Sequence, residues 1–478
     1  MESFYLGIDL GTSYFKAGIF DETGHLKGLG RQYVHKVTDG TICELPLDIF
    51  WKTIRNCLDE AIQMAGIPVN AIQSVSYSSQ VNSFILLDAH NNPLTPLILW
   101  PDKRASGMEL PVENSKGINP LVMKRTGLGI APNEQFTIAK LNWFQKHRSD
   151  IWKKAAFILS ISDFLTFSLT GQKVCDYSTA SMSGMFDIVN RSWWHEQLTN
   201  IGIHADMLPS PQKIGAFAGT TTANAPHLTG LPSGISFCLG GLDHHMAAIG
   251  SGIPVNGYIN ESTGTVLSCV DYTDSYFPQK SICIAPGLDT GSFFRMMFDE
   301  NGARSVEWYQ KNYAPEFSLP ELDEMAAKVE PGCEGLTALP CACTYPGLTG
   351  FTQAKNIHYQ HGHYIRALLE STAHSLSRMI TEMKQQPHPD PPQSGGSAPC
   401  VVSSGGGSRS ALWVKIKSEI VNSSFTLLFG EGRGGATAFL IPECTESACM
   451  GAAMMGALGT DAFGSYNEIV DAWVRFRE

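Results

Sequence analysis

Two β-type segments, each broken by a Gly-Thr turn and lying half a chain apart, constrain this sequence most. The first is Leu6-Gly7-Ile8-Asp9-Leu10-Gly11-Thr12-Ser13-Tyr14-Phe15-Lys16-Ala17-Gly18-Ile19-Phe20-Asp21. Apolar runs flank a short Gly-Thr-Ser turn, the pattern of a β-hairpin. The turn supplies small residues, backbone N–H groups and hydroxyls, all suited to a phosphate. Asp9 stands just before it, where a carboxylate could face a phosphate-bound cation. An ordinary hairpin with a polar tip would look the same. The second segment, Tyr258-Ile259-Asn260-Glu261-Ser262-Thr263-Gly264-Thr265-Val266-Leu267-Ser268, shifts the balance. The pair suggests a duplicated fold that grips one nucleotide from both sides.

The chain has 478 residues, enough for two or more domains that each bury a full core. A formal net charge of -11 argues against nucleic-acid or anionic-membrane partners, which favour a basic face. Local groups must therefore hold any anionic ligand. The opening Met-Glu-Ser lacks a basic n-region and Asp9 interrupts the apolar run, so no signal peptide is expected. No apolar stretch approaches the ~18 residues of a membrane span. The 12 Cys include no Cys-x-x-Cys, which fits reduced thiols in a cytoplasmic protein.

Strands and helices alternate, the mark of α/β architecture with a largely buried sheet. A helix is expected from Pro46 to Met64, capped by Leu47 or Asp48, and another from Ile138 to His147. A third is expected from about His363 to Gln385. A domain boundary is placed near residues 250–256, giving domains 1–250 and 251–478. The Pro- and Gly-rich stretch 386–397 reads as a surface loop between a helix and a strand.

Three further segments carry candidate chemistry. Leu239-Gly240-Gly241-Leu242-Asp243 ends a strand and opens a helix, where open α/β sheets bind ligands. Asp243 there is either a simple N-cap or a general base able to take a proton from a hydroxyl. Val401-Val402-Ser403-Ser404-Gly405-Gly406-Gly407 is strand, glycine turn, helix. It is either a tight connection or a place where backbone N–H groups meet a nucleotide, and it lacks the Gly-Lys-Ser/Thr ending of a Walker loop. Trp100-Pro101-Asp102-Lys103-Arg104 puts a flat ring, a carboxylate and a guanidinium in one loop. It suits a polyhydroxylated chain, or equally a surface ion pair beside a Trp.

In this order the segments resemble those of the FGGY carbohydrate kinases, in the actin–hexokinase–Hsp70 superfamily. Cys175-Asp176-Tyr177-Ser178-Thr179-Ala180-Ser181 with Phe186-Asp187 resembles "TDYSDAS…FD". Pro331-Gly332-Cys333-Glu334-Gly335-Leu336, Arg366-Ala367-Leu368-Leu369-Glu370 and Glu446-Ser447-Ala448 with Gly451-Ala452-Ala453 match further family segments. The resemblance implies two actin-like (ribonuclease H-like) domains with an interdomain cleft. It implies that Gly11, Thr12, Ser13 and Lys16 approach the ATP phosphates from the first domain. Gly264, Thr265, Gly405 and Gly406 would do so from the second. Asp9 would orient Mg2+ through water, and Asp243 would be the catalytic base. The implied partners are a small sugar and ATP, and a homodimer is common in the family.

Within the family the chain is most similar to xylulokinases, which implies D-xylulose as acceptor. The sugar-reading residues depart from that pattern. Gln80 is kept, but Val81 and Asn82 replace a Met-His pair, and Asn82 cannot carry charge as His can. Pro101 replaces an Asn between Trp100 and Asp102, while Arg104 is kept. Another ketose or a polyol (ribulose, fuculose, glycerol-like) is therefore the alternative substrate. A non-catalytic sugar sensor is the alternative of another class. The Gly-rich stretch 429–439 reads as an inserted hairpin or loop.

Overall fold

The computed structural model describes residues 2–108, 119–352, 358–384, 400–429 and 438–477, side chains of 424–429 excepted. The chain divides into two compact units that are discontinuous in sequence. The first comprises 1–250, 273–295 and 446–474, and the second 251–272, 296–445 and 475–478. The expected division at 250–256 is contiguous; by packing, the first unit also takes in 273–295 and 446–474.

In the first unit the strand Phe4–Leu10 pairs antiparallel with Tyr14–Asp21, in the register Asp9 opposite Lys16 and Leu10 opposite Phe15. On its other side it runs parallel to Ile72–Ser79, with Asp9 opposite Ser78. The short strand Gly241–Leu242 also lies parallel to Ile72–Ser79, with Gly241 opposite Ser78. All seven residues of Phe4–Leu10 are buried, as expected of a strand covered on both faces.

Glycines let those covers sit close. The helix Leu47–Ala65 packs on Leu26–Tyr33, where a Cβ on Gly30 would stand 1.8 Å from the Cys57 carbonyl oxygen. That helix begins at Pro46 with no side-chain cap bond, so neither Leu47 nor Asp48 caps it. On the other face lies the helix Ser447–Leu458; a Cβ on Gly7 would stand 2.0 Å from the Cys449 carbonyl oxygen. Gly240 also serves packing, since a Cβ there would meet the Tyr77 carbonyl oxygen at 1.5 Å.

In the second unit Ile259–Thr263 pairs antiparallel with Leu267–Thr273 and parallel with Cys400–Ser404. The helices His361–Lys384 and Ala411–Phe429 belong to this unit. Ala438 and Phe439, expected in an inserted hairpin or loop, begin the strand Ala438–Leu440, which runs parallel to Cys400–Ser404. The rest of that Gly-rich stretch, 430–437, and the expected loop at 386–397 lie outside the described residues. Among the described residues no helix is long and apolar enough to cross a membrane.

Candidate active site

Three parallel strands ending together create the first cluster. Their register sets Asp9, Ser78 and Gly241 side by side, and the chain continues from Leu242 into the helix Asp243–Gly250. Asp243 is the first residue of that helix, and its Oδ1 accepts the His244 N–H at 2.8 Å. Ser78 Oγ donates to Asp9 Oδ1 at 2.8 Å. Burial, with Asp243 adding repulsion, raises Asp9 to about 6 against the pull of Lys16 and Ser78.

Lys16 lies across the hairpin from Asp9, Nζ 4.0 Å from Asp9 Oδ2, and donates to Glu446 Oε2 at 2.7 Å. Burial works against its charge, but Asp9 and Glu446 outweigh it and hold the amine well above its usual value. Glu446 immediately precedes the helix Ser447–Leu458. It lay in a segment matched by the resemblance, but nothing in the sequence connects it with Lys16. Gly11 and Thr12 are half-buried and Ser13 is exposed at the turn between the first two strands.

The second cluster is built on that turn. Gln80 Nε2 donates to the Gly11 carbonyl at 3.2 Å, and Ser83 Oγ donates to Gln80 Oε1 at 3.0 Å. Trp100 Nε1 donates to Thr12 Oγ1 at 2.6 Å, and the Trp100 N–H donates to Ser83 Oγ at 2.9 Å. The structure thus joins the expected phosphate turn to both expected sugar segments. Val81 is half-buried and brings no polar group. Asn82 holds φ of 58°, a left-handed backbone that Asn tolerates better than most residues. Its Oδ1 accepts the Thr137 N–H at 3.0 Å and hydroxyl at 3.2 Å, at the start of the helix Thr137–His147.

Asp102 differs from the expectation of an outward acceptor. Its side chain has 0% exposure. Its oxygens accept the Cys43 and Arg104 backbone N–H groups and the Arg104 guanidinium. Arg104 also donates to Glu44 Oε1 at 2.6 Å. In this arrangement Asp102 and Glu44 hold Arg104, whose side chain is only 6% exposed, so the loop's exposed residue is Lys103 and Trp100 is half-buried. Lys140, which periodicity alone places on an ordinary helix face, is fully buried beneath these loops. Burial lowers its amine to about 7 despite the nearby Asp102.

The second unit holds the remaining phosphate-turn residues together. Gly264 N–H donates to the Val266 carbonyl at 3.1 Å, closing the second hairpin, and Thr265 is exposed. Gly405 has φ of 75°, and a Cβ there would stand 2.8 Å from Ser262 Oγ and 3.0 Å from the Thr263 carbonyl oxygen. Only glycine brings the two turns this close; Gly406 beside it is exposed. Behind them Lys417 Nζ donates to Glu261 Oε1 and Thr263 Oγ1, each at 2.8 Å, and Ser403 Oγ also donates to Glu261. Lys417 and Glu261 have 0% exposure, an ion pair that sequence patterning leaves hidden.

Among the described residues no group of three or more His, Cys, Asp or Glu is arranged to hold a metal ion. The donor set at Asp9 fits a cation carried largely by phosphate oxygens. Asp9 and Asp243 repel one another, and positive charge between substrate and carboxylates would relieve that.

The chain is similar to known proteins along almost its whole length. Residues 4–250 match the N-terminal domain of the FGGY family of carbohydrate kinases, and residues 340–460 match its C-terminal domain. Xylulose kinase of Bacillus subtilis is 26% identical over 99% of this chain and 91% of its own length. Gluconokinase of the same organism is 25% identical over 98% of this chain and 90% of its own. The fold is that of xylulose kinase from Lactobacillus acidophilus, with TM-score 0.82 and 18% identity over 100% of this chain and 93% of that one. With both family domains matched and relatives aligned along almost its whole length, the chain belongs to the FGGY family of carbohydrate kinases.

Proposed function

We propose that this carbohydrate kinase transfers the γ-phosphoryl group of ATP to a terminal hydroxyl of a ketose, D-xylulose first, giving D-xylulose 5-phosphate. The observation that carries the mechanism is the convergence of Asp9, Ser78 and Asp243 at the ends of parallel strands, with Lys16 beside them. Asp243 is the first residue of a helix that begins where these strands end. It accepts the proton of the attacking hydroxyl as that oxygen approaches the γ-phosphorus in line. Lys16, kept charged by its two carboxylate neighbours, balances charge on the phosphate oxygens. The turn Gly11-Thr12-Ser13 offers backbone N–H groups and hydroxyls to the same anion. Gly264, Thr265, Gly405 and Gly406 have the same role in the second unit. Asp9 is the residue to hold Mg2+ through water, and the ion neutralises phosphate charge when bound.

On the acceptor side the half-buried Trp100 offers its ring, and behind it Arg104 is held by Asp102 and Glu44 as a support for the loop. Gln80 and Asn82 frame the same loops. The similarity to gluconokinases as well as xylulose kinases supports a second acceptor class, a sugar acid. Among the described residues none of the 12 cysteines forms a disulfide, which fits a reducing, cytoplasmic setting.

The test is ADP release by Asp243→Ala with its best acceptor. We expect turnover to fall by about a thousandfold while ATP affinity stays close to that of the parent. Turnover near the parent rate in a folded variant would remove Asp243 from the mechanism.

A further inference from the structure

We propose that Lys140 is a positioning residue that sets the shape of the acceptor site by tying together the backbones of both sugar-facing loops. The proposal deepens the functional reading above and rests on it. Lys140 Nζ donates to the Asn82 carbonyl at 2.8 Å and to the Leu99 carbonyl at 3.0 Å. Those carbonyls belong to the two segments that carry Gln80, Asn82, Trp100 and Arg104. One amine therefore sets the spacing between them.

A lysine is a costly way to fill space. It has 0% exposure, and an apolar side chain of similar length would occupy that volume without a polar head to satisfy. Phe84 already provides an apolar wall, its ring centroid 5.9 Å from Nζ. What only the amine adds is its pair of hydrogen bonds to the loops. The same helix contributes a second tie through Thr137, whose N–H and hydroxyl both reach Asn82 Oδ1. Thr137 and Lys140 together hold Asn82 in its left-handed backbone, a conformation that needs support from its surroundings.

This arrangement gives Asn82 a definite chemistry. Its Oδ1 is used by the helix, and among the described residues its Nδ2 has no acceptor. Asn82 thus meets a ligand as a donor, selecting an oxygen that can accept, such as a hydroxyl, a carbonyl or a carboxylate. The helix Thr137–His147 becomes the platform for acceptor recognition, although none of its residues needs to touch the sugar.

The experiment compares the parent enzyme with Lys140→Met and Thr137→Val, measuring KM for the acceptor, KM for ATP and kcat. Circular dichroism and thermal unfolding check the fold. For Lys140→Met we expect acceptor KM to rise by about tenfold or more, kcat to fall by less than that, and ATP KM to hold within about twofold. Thr137→Val keeps the Lys140 ties and should shift acceptor KM in the same direction by about two- to fivefold, which preserves the test if Lys140→Met fails to fold. Unchanged acceptor KM in either folded variant, or equal rises in both KM values, would overturn the proposal. A parent enzyme that neither binds nor phosphorylates any sugar or sugar acid would overturn the functional reading, and this proposal with it.

Discussion

Replacing Asp9 by Asn removes a charge that the fold opposes. Asp9 ionises near 3.8 in an unstructured chain and near 6 in the folded protein, because burial and Asp243 disfavour the carboxylate. Below the lower value both states hold the proton, and the group costs nothing. Between the two values the unfolded chain releases its proton first, so folding stability is lost as pH rises through the folded value. Above it the cost levels off near two pH units, or about 3 kcal/mol. Asn keeps an oxygen for the Ser78 hydroxyl, now at 2.8 Å, and leaves Lys16 its closer partner Glu446 at 2.7 Å. That cost already contains the attraction to Lys16; allowing about 1 kcal/mol for the imperfect match between an amide and the protonated carboxyl, the net gain at pH 8 is about 2 kcal/mol. Urea unfolding in metal-free buffer, followed by tryptophan fluorescence, should show the variant more stable than the parent at pH 8 and nearly equal at pH 4. Phosphoryl transfer should fall by at least about a hundredfold. A variant less stable at pH 8, or a difference that does not change with pH, would refute the reasoning.

Two other substitutions probe what supports the site. Gly7→Ala would put a Cβ 2.0 Å from the Cys449 carbonyl oxygen, forcing the helix Ser447–Leu458 off the sheet; we expect a loss of about 3 kcal/mol or more in thermal unfolding. Lys417→Met strands the Glu261 carboxylate in a site with 0% exposure and should cost about 3–5 kcal/mol, part of it recovered by adding Glu261→Gln. Equal stability of the single and double variants would show that the buried charge is not the cause.

What could be read from the chain was local. Both hairpins, the glycine turn at 405–406 and the helix beginning at Asp243 follow from turn chemistry and short-range patterning. The structure has them as Phe4–Leu10 with Tyr14–Asp21, Ile259–Thr263 with Leu267–Thr273, Gly405 at φ of 75°, and Asp243–Gly250. Partnerships across long separations were not legible. Glu446 reaches Lys16 from 430 residues away, and Lys417 reaches Glu261 from 156. Nothing in their neighbouring residues signals either contact. Asp102 and Lys140 were obscured for another reason: their charge suggests exposure, whereas neighbouring donors and carbonyls satisfy them in the interior. The segments 273–295 and 446–474 join the first unit by packing at small residues, Gly129 for the former and Gly7 and Gly451 for the latter, that carries no mark in the chain's order.

The central claim is phosphoryl transfer to a small polyhydroxylated acceptor with Asp243 as base. The most direct test is ADP release with Mg2+-ATP against ketoses, polyols and sugar acids, run in parallel on the parent protein and Asp243→Ala. The account predicts release that depends on one acceptor, D-xylulose first, and its loss by about a thousandfold in the variant. A folded parent protein that binds ATP but releases no more ADP with any acceptor, or a variant that matches the parent, would contradict it.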